Sequence, residues 1–272
     1  MIELAVMTFS LEPGNLDETL DKARGLGLKI VDLTTRMDAA LQIDRMLAAT
    51  QPSEQATIVN QALDARGMRV SEVFWLNFGT AVNHPDATKR ARTIELFDGF
   101  CQFCHEIGAE STMGIPGPVY KELGIDESYR LSIESLKALV EVAGRHNILF
   151  NMEPHWPSLA ESPEGVARLC DAVPGMGITL DYSHFQRQGY TQEAVEPLHA
   201  YARHYHARQA CDGNPNVSRD EGTIDFGRII RKLKVDQYDG VVCLEYMTRG
   251  LDDACQETAW LKDELEWFLA EG

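Results

Sequence analysis

Basic side chains are scarce in this sequence: 25 Lys and Arg stand against 42 Asp and Glu, a formal charge of −17 over 272 residues. A surface of that sign repels phosphate backbones and anionic lipid, which excludes nucleic acid and membrane surfaces as partners. Long apolar runs are missing as well. No stretch approaches the roughly 20 residues that cross a bilayer, so no membrane span is expected. The opening MIELAVMTFS has neither a basic region nor a cleavage site, and the expected address is cytoplasmic. The six cysteines have no framework spacing. Cys101 and Cys104 form a C-x-x-C inside a helical pattern with no second pair, so buried free thiols are expected instead of a zinc site. Nor does a glycine-rich phosphate fingerprint follow the first strand, which runs on as TFSLEPGN and so disfavours a dinucleotide-binding open sheet.

What is present is alternation. Runs with strand character occur at 2–9, 28–34, 69–75, 110–115, 148–153, 177–182, 204–209 and 240–246. Helical periodicity fills the gaps between them. In LDETLDKARGLG, Leu16, Leu20, Ala23 and Leu26 share a stripe, with Asn15 as the expected N-cap. Longer helices are predicted over 88–108 and 127–146, and an amphipathic one closes the chain. Eight units in 272 residues give 34 residues each. That is the pitch of a (β/α)8 TIM barrel, typically about 250 residues long, and the expectation is one α/β domain over residues 1–272.

In such a barrel the chemistry collects at the C-terminal ends of the strands. The fifth strand ends at Glu153, the sixth at Asp181, the seventh carries His206 and the eighth ends at Glu245. Spacings of 28, 25 and 39 residues (153 to 181, 181 to 206, 206 to 245) fit one βα unit apiece. These four side chains would therefore meet at one mouth. Three carboxylates and an imidazole suit Mn²⁺, Mg²⁺, Co²⁺ or Zn²⁺, with Mn²⁺ the expected ion. A carboxylate beside such an ion can act as a base while the ion polarises a carbonyl.

At these residues the sequence resembles the sugar phosphate isomerase/epimerase superfamily, the xylose isomerase-like TIM barrels. The resemblance runs from Ala23–Leu33 to the closing LEY, and is most specific in NMEPH, GITLDYSHF, HARQA, EGTIDFGRIIRKL and YDGVVCLEY. It implies a metal quartet at Glu153, Asp181, His206 and Glu245, with Glu153 and Glu245 as acid and base on opposite sides of the substrate. It also implies that His184 contacts substrate. The chain departs from the ketohexose 3-epimerases of that family at two positions. Leu159 stands where they carry a second glutamate, and Asp212 where they carry an arginine. Strand alternation offers His155, two residues after Glu153, and Arg208, two residues after His206, on the same faces as those ligands. His155 is thus a candidate acid/base or a partner orienting Glu153. Arg208 is a candidate anchor for a substrate oxygen or an ion-pair partner of a ligand carboxylate. Trp75, Asn77, Trp156 and Tyr246 are candidates to wall a sugar face, with ordinary rim packing as the alternative for each. The loop over 211–222 reads as the most mobile segment.

The leading expectation is a metal-dependent isomerase or epimerase that removes a proton α to the carbonyl of a keto sugar or related polyol. A lyase sharing the same first step is the alternative, either a dehydratase or a C-glycoside deglycosidase-like enzyme acting on 3-keto glycosides. Hydrolytic DNA-repair relatives on this fold rely on many more histidines and a basic groove, which this chain lacks. A metal-retaining binding protein is the non-catalytic alternative. The acidity favours a neutral substrate, since an anionic one would depend on Arg208 and the ion for its counter-charge. The resemblance also implies a homo-oligomer, or a hetero-oligomer for the lyase.

Overall fold

The computed structural model describes residues 1–37, 43–75 and 77–271. Position 76, in the loop after the third strand, lies outside the described residues. Eight parallel strands form the interior: β1 Glu3–Met7, β2 Ile30–Arg36, β3 Arg69–Phe74, β4 Ser111–Gly114, β5 Leu149–Met152, β6 Gly177–Asp181, β7 Ala202–Ala207 and β8 Val241–Leu244. Each pairs with its successor in the chain, and β1 closes the circle by pairing with both β2 and β8. A two-residue strand, Ile43–Asp44, extends the end of β2. All eight strands expected from the sequence form, in a single closed (β/α)8 barrel.

Helices α1 Leu16–Gly25, α2 Pro52–Asp64, α3 Ala87–Glu106, α4 Ile125–Arg145, α5 Pro163–Ala172, α6 Phe226–Val235 and α7 Ala254–Ala270 make the outer shell. Asn15 caps α1 as expected, within a reciprocal capping box with Glu18. The regular alternation breaks after β6. There the chain makes two four-residue helical turns, Ser183–Gln186 and Gln192–Val195, followed by a 3-10 segment. Gly189, at φ +78, and Pro197, which has no N–H, punctuate this stretch. Among the described residues, no helix is long and apolar enough to cross a membrane.

Two kinds of interior result. Between strands and helices lies a continuous apolar layer, thickest where Trp75, Phe97, Phe100, Phe103 and Phe150 pack together. Inside the barrel, Ala5, Met7, Ile30, Val241 and Cys243 form a small apolar cluster on the β1, β2 and β8 side. The opposite side is polar. Buried Glu72 accepts hydrogen bonds from Ser111 (2.6 Å), Asn151 (2.7 Å) and Thr179 (2.6 Å). Asp32 accepts from Ser71, from the Glu72 backbone N–H (3.0 Å) and from His204 Nε2 (2.7 Å). One extra residue in β3 opposite Asp32 shifts the register, so Ser71 and Glu72 both reach the same carboxylate.

Of the cysteines, Cys101, Cys104, Cys170 and Cys243 are buried and free as expected, whereas Cys211 and Cys255 are only half-buried. The loop over 211–222, expected to be mobile, is anchored at its middle and its flanks. Asn216 is buried and exchanges hydrogen bonds with the backbone of Met247, and Gln209 bonds both backbone groups of Ile224.

Close approach, not backbone conformation, explains Gly99 in the middle of α3. A Cβ there would come within 2.0 Å of the Ala49 carbonyl oxygen, in the short helix Arg45–Thr50. Gly99→Ala is therefore expected to cost about 1–3 kcal/mol from overpacking, despite a gain of roughly 1 kcal/mol in helix propensity. Denaturant unfolding measures this; a stabilised variant would refute the tight crossing.

Candidate active site

Strand geometry decides which side chains reach the mouth. Successive residues alternate in and out of the barrel, so the last inward residue of each strand and those just beyond it point over the top. Glu153 follows β5, and its N–H donates to Gly114 O (2.9 Å); Glu245 follows β8, and its N–H donates to Ala207 O (3.0 Å). Both carboxylates thus extend the barrel pairing by one residue. They converge on His206 of β7. Its Nδ1 lies 3.1 Å from Glu245 Oε2 and 3.4 Å from Glu153 Oε1. These three donor atoms lie within 4.8 Å of one another and are buried, so one ion could touch all three. The other ring nitrogen, Nε2, faces Asp32 Oδ2 at 3.5 Å without a hydrogen bond.

Asp181, the fourth expected ligand, ends β6 beside this trio but is held differently. It accepts from the Ser183 N–H and hydroxyl, both at 2.8 Å, and pairs with Arg208 Nη2 at 2.6 Å. Arg208 is wholly engaged. It donates to Glu245 Oε2 (2.7 Å), the Glu245 carbonyl (3.1 Å), the Ser183 hydroxyl (2.9 Å), the Pro215 carbonyl (3.0 Å) and His184 Nε2 (3.1 Å). Arg208 is thus ion-paired with Asp181 and Glu245, two of the carboxylates expected to be ligands.

The electrostatics separate the two glutamates. Burial pushes the Glu153 carboxyl up to about 7, with the charges of Glu245 and Asp181 adding and His206 opposing. Glu245 is equally buried, yet Arg208 and His206 outweigh burial and hold it below the ordinary range. Burial pushes His155 down to about 4, with Arg208 and Arg187 lowering it further. Burial, then Arg208 and the neighbouring His155, His206 and Arg187, hold His184 well below the ordinary imidazole range. The His155 and His184 rings are 4.2 Å apart, and the buried Nδ1 of His184 has no hydrogen-bond partner.

A cavity of about 340 Å³ opens over these groups, lined by Glu153, Glu245, Arg208, His184, His155 and Arg187, with Phe9, Phe74, Trp156, Pro215 and Met247 as its less polar wall. A larger groove of about 540 Å³, around Glu193, Glu196 and Lys232, lies on the outer shell away from the strand ends.

Two of the expected sugar-walling residues are elsewhere. Trp75 and Tyr246 are fully buried outside the barrel. The Trp75 ring packs 4.6 Å from Phe97, while the Tyr246 hydroxyl accepts the Gln209 N–H (3.2 Å). The reason is parity: Phe74 and Glu245 take the inward places, so their successors face the helices. Asn77 holds the Gly79 N–H through its side chain and Arg45 through its carbonyl. Trp156 does reach the cavity, half-exposed, with the Arg187 guanidinium 3.9 Å from its ring centroid.

Arg187, Asp32 and Glu72 escaped the reading of the sequence. For the acids a signal existed, since IVDLT and VSEVF each place a carboxylate inside an otherwise apolar strand. Arg187 carries no such mark; it follows a turn whose geometry appears only in the fold.

Among curated proteins, the chain is similar to the L-ribulose-5-phosphate 3-epimerase UlaE of Escherichia coli, 23% identical over 93% of this chain and 89% of that protein. An uncharacterized protein of Methanocaldococcus jannaschii, MJ1311, is 26% identical over 65% of this chain, which spans 64% of that relative's length. Solved structures share the fold. A D-tagatose 3-epimerase-like protein superposes with a TM-score of 0.81 at 19% identity, covering 99% of both chains. The IOLI protein with a bound zinc atom gives 0.77 at 18% identity, covering 98% of this chain and 99% of its own. The probable 3-DHS dehydratase AsbF of Bacillus anthracis gives 0.74 at 15%, covering 96% and 98%. A family model described as xylose isomerase-like TIM barrel matches residues 20–271. With that match over nearly the whole barrel, the chain belongs to the xylose isomerase-like TIM barrel family.

Proposed function

We propose that this protein is a divalent-metal-dependent epimerase or isomerase of a keto sugar or related keto polyol, acting by proton transfer at the carbon next to the carbonyl. The observation that carries this reading is the convergence of Glu153, His206 and Glu245 on one buried point, with both glutamates also lining the cavity. The donor set fits a hard-to-borderline cation, and the relatives named as sugar epimerases support the reaction class. Mn²⁺ is the proposed ion, held by Glu153, His206 and Glu245 with Asp181 as the fourth ligand. When bound, such an ion polarises the substrate carbonyl and acidifies the neighbouring C–H.

The protein's own groups then divide the work. Glu245, kept ionised by Arg208, takes the proton from the α-carbon. Glu153, whose pKa burial raises to about 7, exchanges a proton at the opposite face. The unpartnered His184 Nδ1 serves a substrate oxygen. Arg208 acts indirectly, by fixing Asp181 and Glu245. The apolar wall of Phe9, Phe74 and Met247 limits water at the reacting carbon.

Elimination from the same carbanion is the second reading, favoured by His155. This imidazole at the cavity edge, its ring tilted against that of His184 at 4.2 Å, is positioned to hydrogen-bond a departing hydroxyl or alkoxide while Glu153, with its raised pKa, supplies the proton. Product mass distinguishes the two: an isomer is expected, and loss of water or a fragment would transfer the assignment to a lyase.

Deuterium from solvent is expected at the α-carbon of a turned-over keto sugar, read by NMR; turnover without exchange into product or recovered substrate would overturn proton abstraction. Glu153→Gln is expected to lower kcat about 10²–10⁴-fold with little change in Tm. Glu245→Gln should lose activity and stability together, because it deprives buried Arg208 of a carboxylate. Near-normal kcat in either variant would remove that glutamate from the proton transfer.

EDTA is expected to abolish activity and Mn²⁺ or Co²⁺ to restore it. Asp181→Asn should weaken Mn²⁺ binding about 10–100-fold by titration calorimetry. Unchanged affinity would confine the ligand set to Glu153, His206 and Glu245.

A further inference from the structure

Arg187 stands in the wall of the active-site cavity, yet among the described residues its guanidinium makes no hydrogen bond and no ion pair. Its one recorded partner is the face of Trp156, 3.9 Å from the guanidinium carbon. The residue is nonetheless held in place. Its N–H donates to Ser183 O (3.1 Å) and its carbonyl accepts from the Gly213 N–H (2.8 Å), so the backbone is pinned between the turn after β6 and the loop after β7.

The neighbourhood contrasts with that of Arg208, which is shared between Asp181 and Glu245. On the proposed reading of the site, three carboxylates (Glu153, Asp181 and Glu245) are balanced by Arg208 and one divalent ion. The charge of Arg187 then has no counterpart in the cavity. Nor do its other neighbours supply one: the imidazoles of His155 and His184 offer no negative charge, and Phe9, Phe74, Trp156, Pro215 and Met247 carry none. Partial enclosure by such a wall strengthens the attraction of an anion to a guanidinium. Depth places the anion relative to the chemistry. Glu153 and Glu245 are almost completely buried, whereas Arg187 is half-buried beside the half-exposed Trp156.

We infer that the substrate carries an oxyanion, a carboxylate or a phosphate, at the end remote from its reacting carbon, and that Arg187, braced on Trp156, is the residue that selects for it. This inference rests on the site being that of a keto-sugar enzyme, and it reverses the expectation of a neutral substrate drawn from the overall charge of −17. The net charge of a chain sums its whole surface, but the cavity presents its own local field. Arg208, the arginine that the sequence offered for this task, is already committed to the ligand carboxylates.

The test titrates the Mn²⁺-loaded protein calorimetrically with D-ribulose, D-ribulose 5-phosphate and 5-keto-D-gluconate, in wild type, Arg187→Gln and Arg187→Lys. One of the two anionic ligands is expected to bind about tenfold or more tightly than the neutral ketose in wild type. That ratio should fall to near one in Arg187→Gln and be partly kept in Arg187→Lys. Preference for the phosphate or for the carboxylate names the anion. Failure of both anionic ligands to outbind D-ribulose, or a ratio unchanged in Arg187→Gln, would overturn the inference. Deuterium wash-in is measured on the same three compounds. Exchange without an Arg187-dependent ratio removes the anion site and leaves the keto-sugar reading standing. An Arg187-dependent ratio without exchange keeps the anion site and removes that reading.

Discussion

The mouth of this barrel depends on one buried guanidinium. Arg208 lies between Asp181 at the end of β6 and Glu245 just beyond β8, and a third carboxylate, Glu153, stands with Glu245 within reach of His206. Carboxylates at this depth repel one another and lose hydration, so they persist as a group only where positive charge compensates them. Arg208 does so with fixed geometry. Its planar fork engages two acids at once and still satisfies the Ser183 hydroxyl and the Pro215 carbonyl. Thus it aligns the ends of three strands, seats the loop after β7, and keeps Glu245 ionised.

Beneath it, the barrel is filled on one side by polar groups. Asp32 and Glu72, fully buried, are saturated by hydroxyl, amide, backbone and imidazole donors from β3 to β7. Burial works to raise the Asp32 carboxyl, yet His204 and His206 bring it well below the carboxylate range. A network bonded around both carboxylates is stiff, because loss of either would leave several buried donors unsatisfied. It therefore gives His206 a rigid base, with Asp32 facing the ring nitrogen turned away from the glutamates.

Charge is distributed on two scales. Outside, the acidic excess is solvated and met locally by surface pairs such as Arg130 with Glu127 and Lys262 with Glu266, which contribute little stability individually. Inside the cavity, acids line the floor and an arginine the rim. The cavity therefore presents an ordered field, not the average charge of the chain. The fold of this family accommodates many chemistries by varying such rims.

Period and spacing made the barrel legible from the sequence, because a strand buried on both faces and an amphipathic helix leave different hydrophobic periods. The same logic placed Glu153, Asp181, His206 and Glu245 at one mouth, since residues at consecutive strand ends must face it whatever the loops do. Parity read along one strand also carried Arg208 inward with His206. Other outcomes required the fold itself. Whether Trp75 or Phe74 faces the cavity turns on the phase of β3, and that strand contains an extra residue opposite Asp32. Whether Arg208 serves substrate or scaffold depends on how close Asp181 and Glu245 come to it, a distance between separate strands that no spacing along the chain encodes. Arg187 reaches the rim because the helix expected after β6 collapses into short turns around Gly189. Local pattern determined the elements and the direction of their side chains; which charges neutralise one another was decided by distances across the barrel.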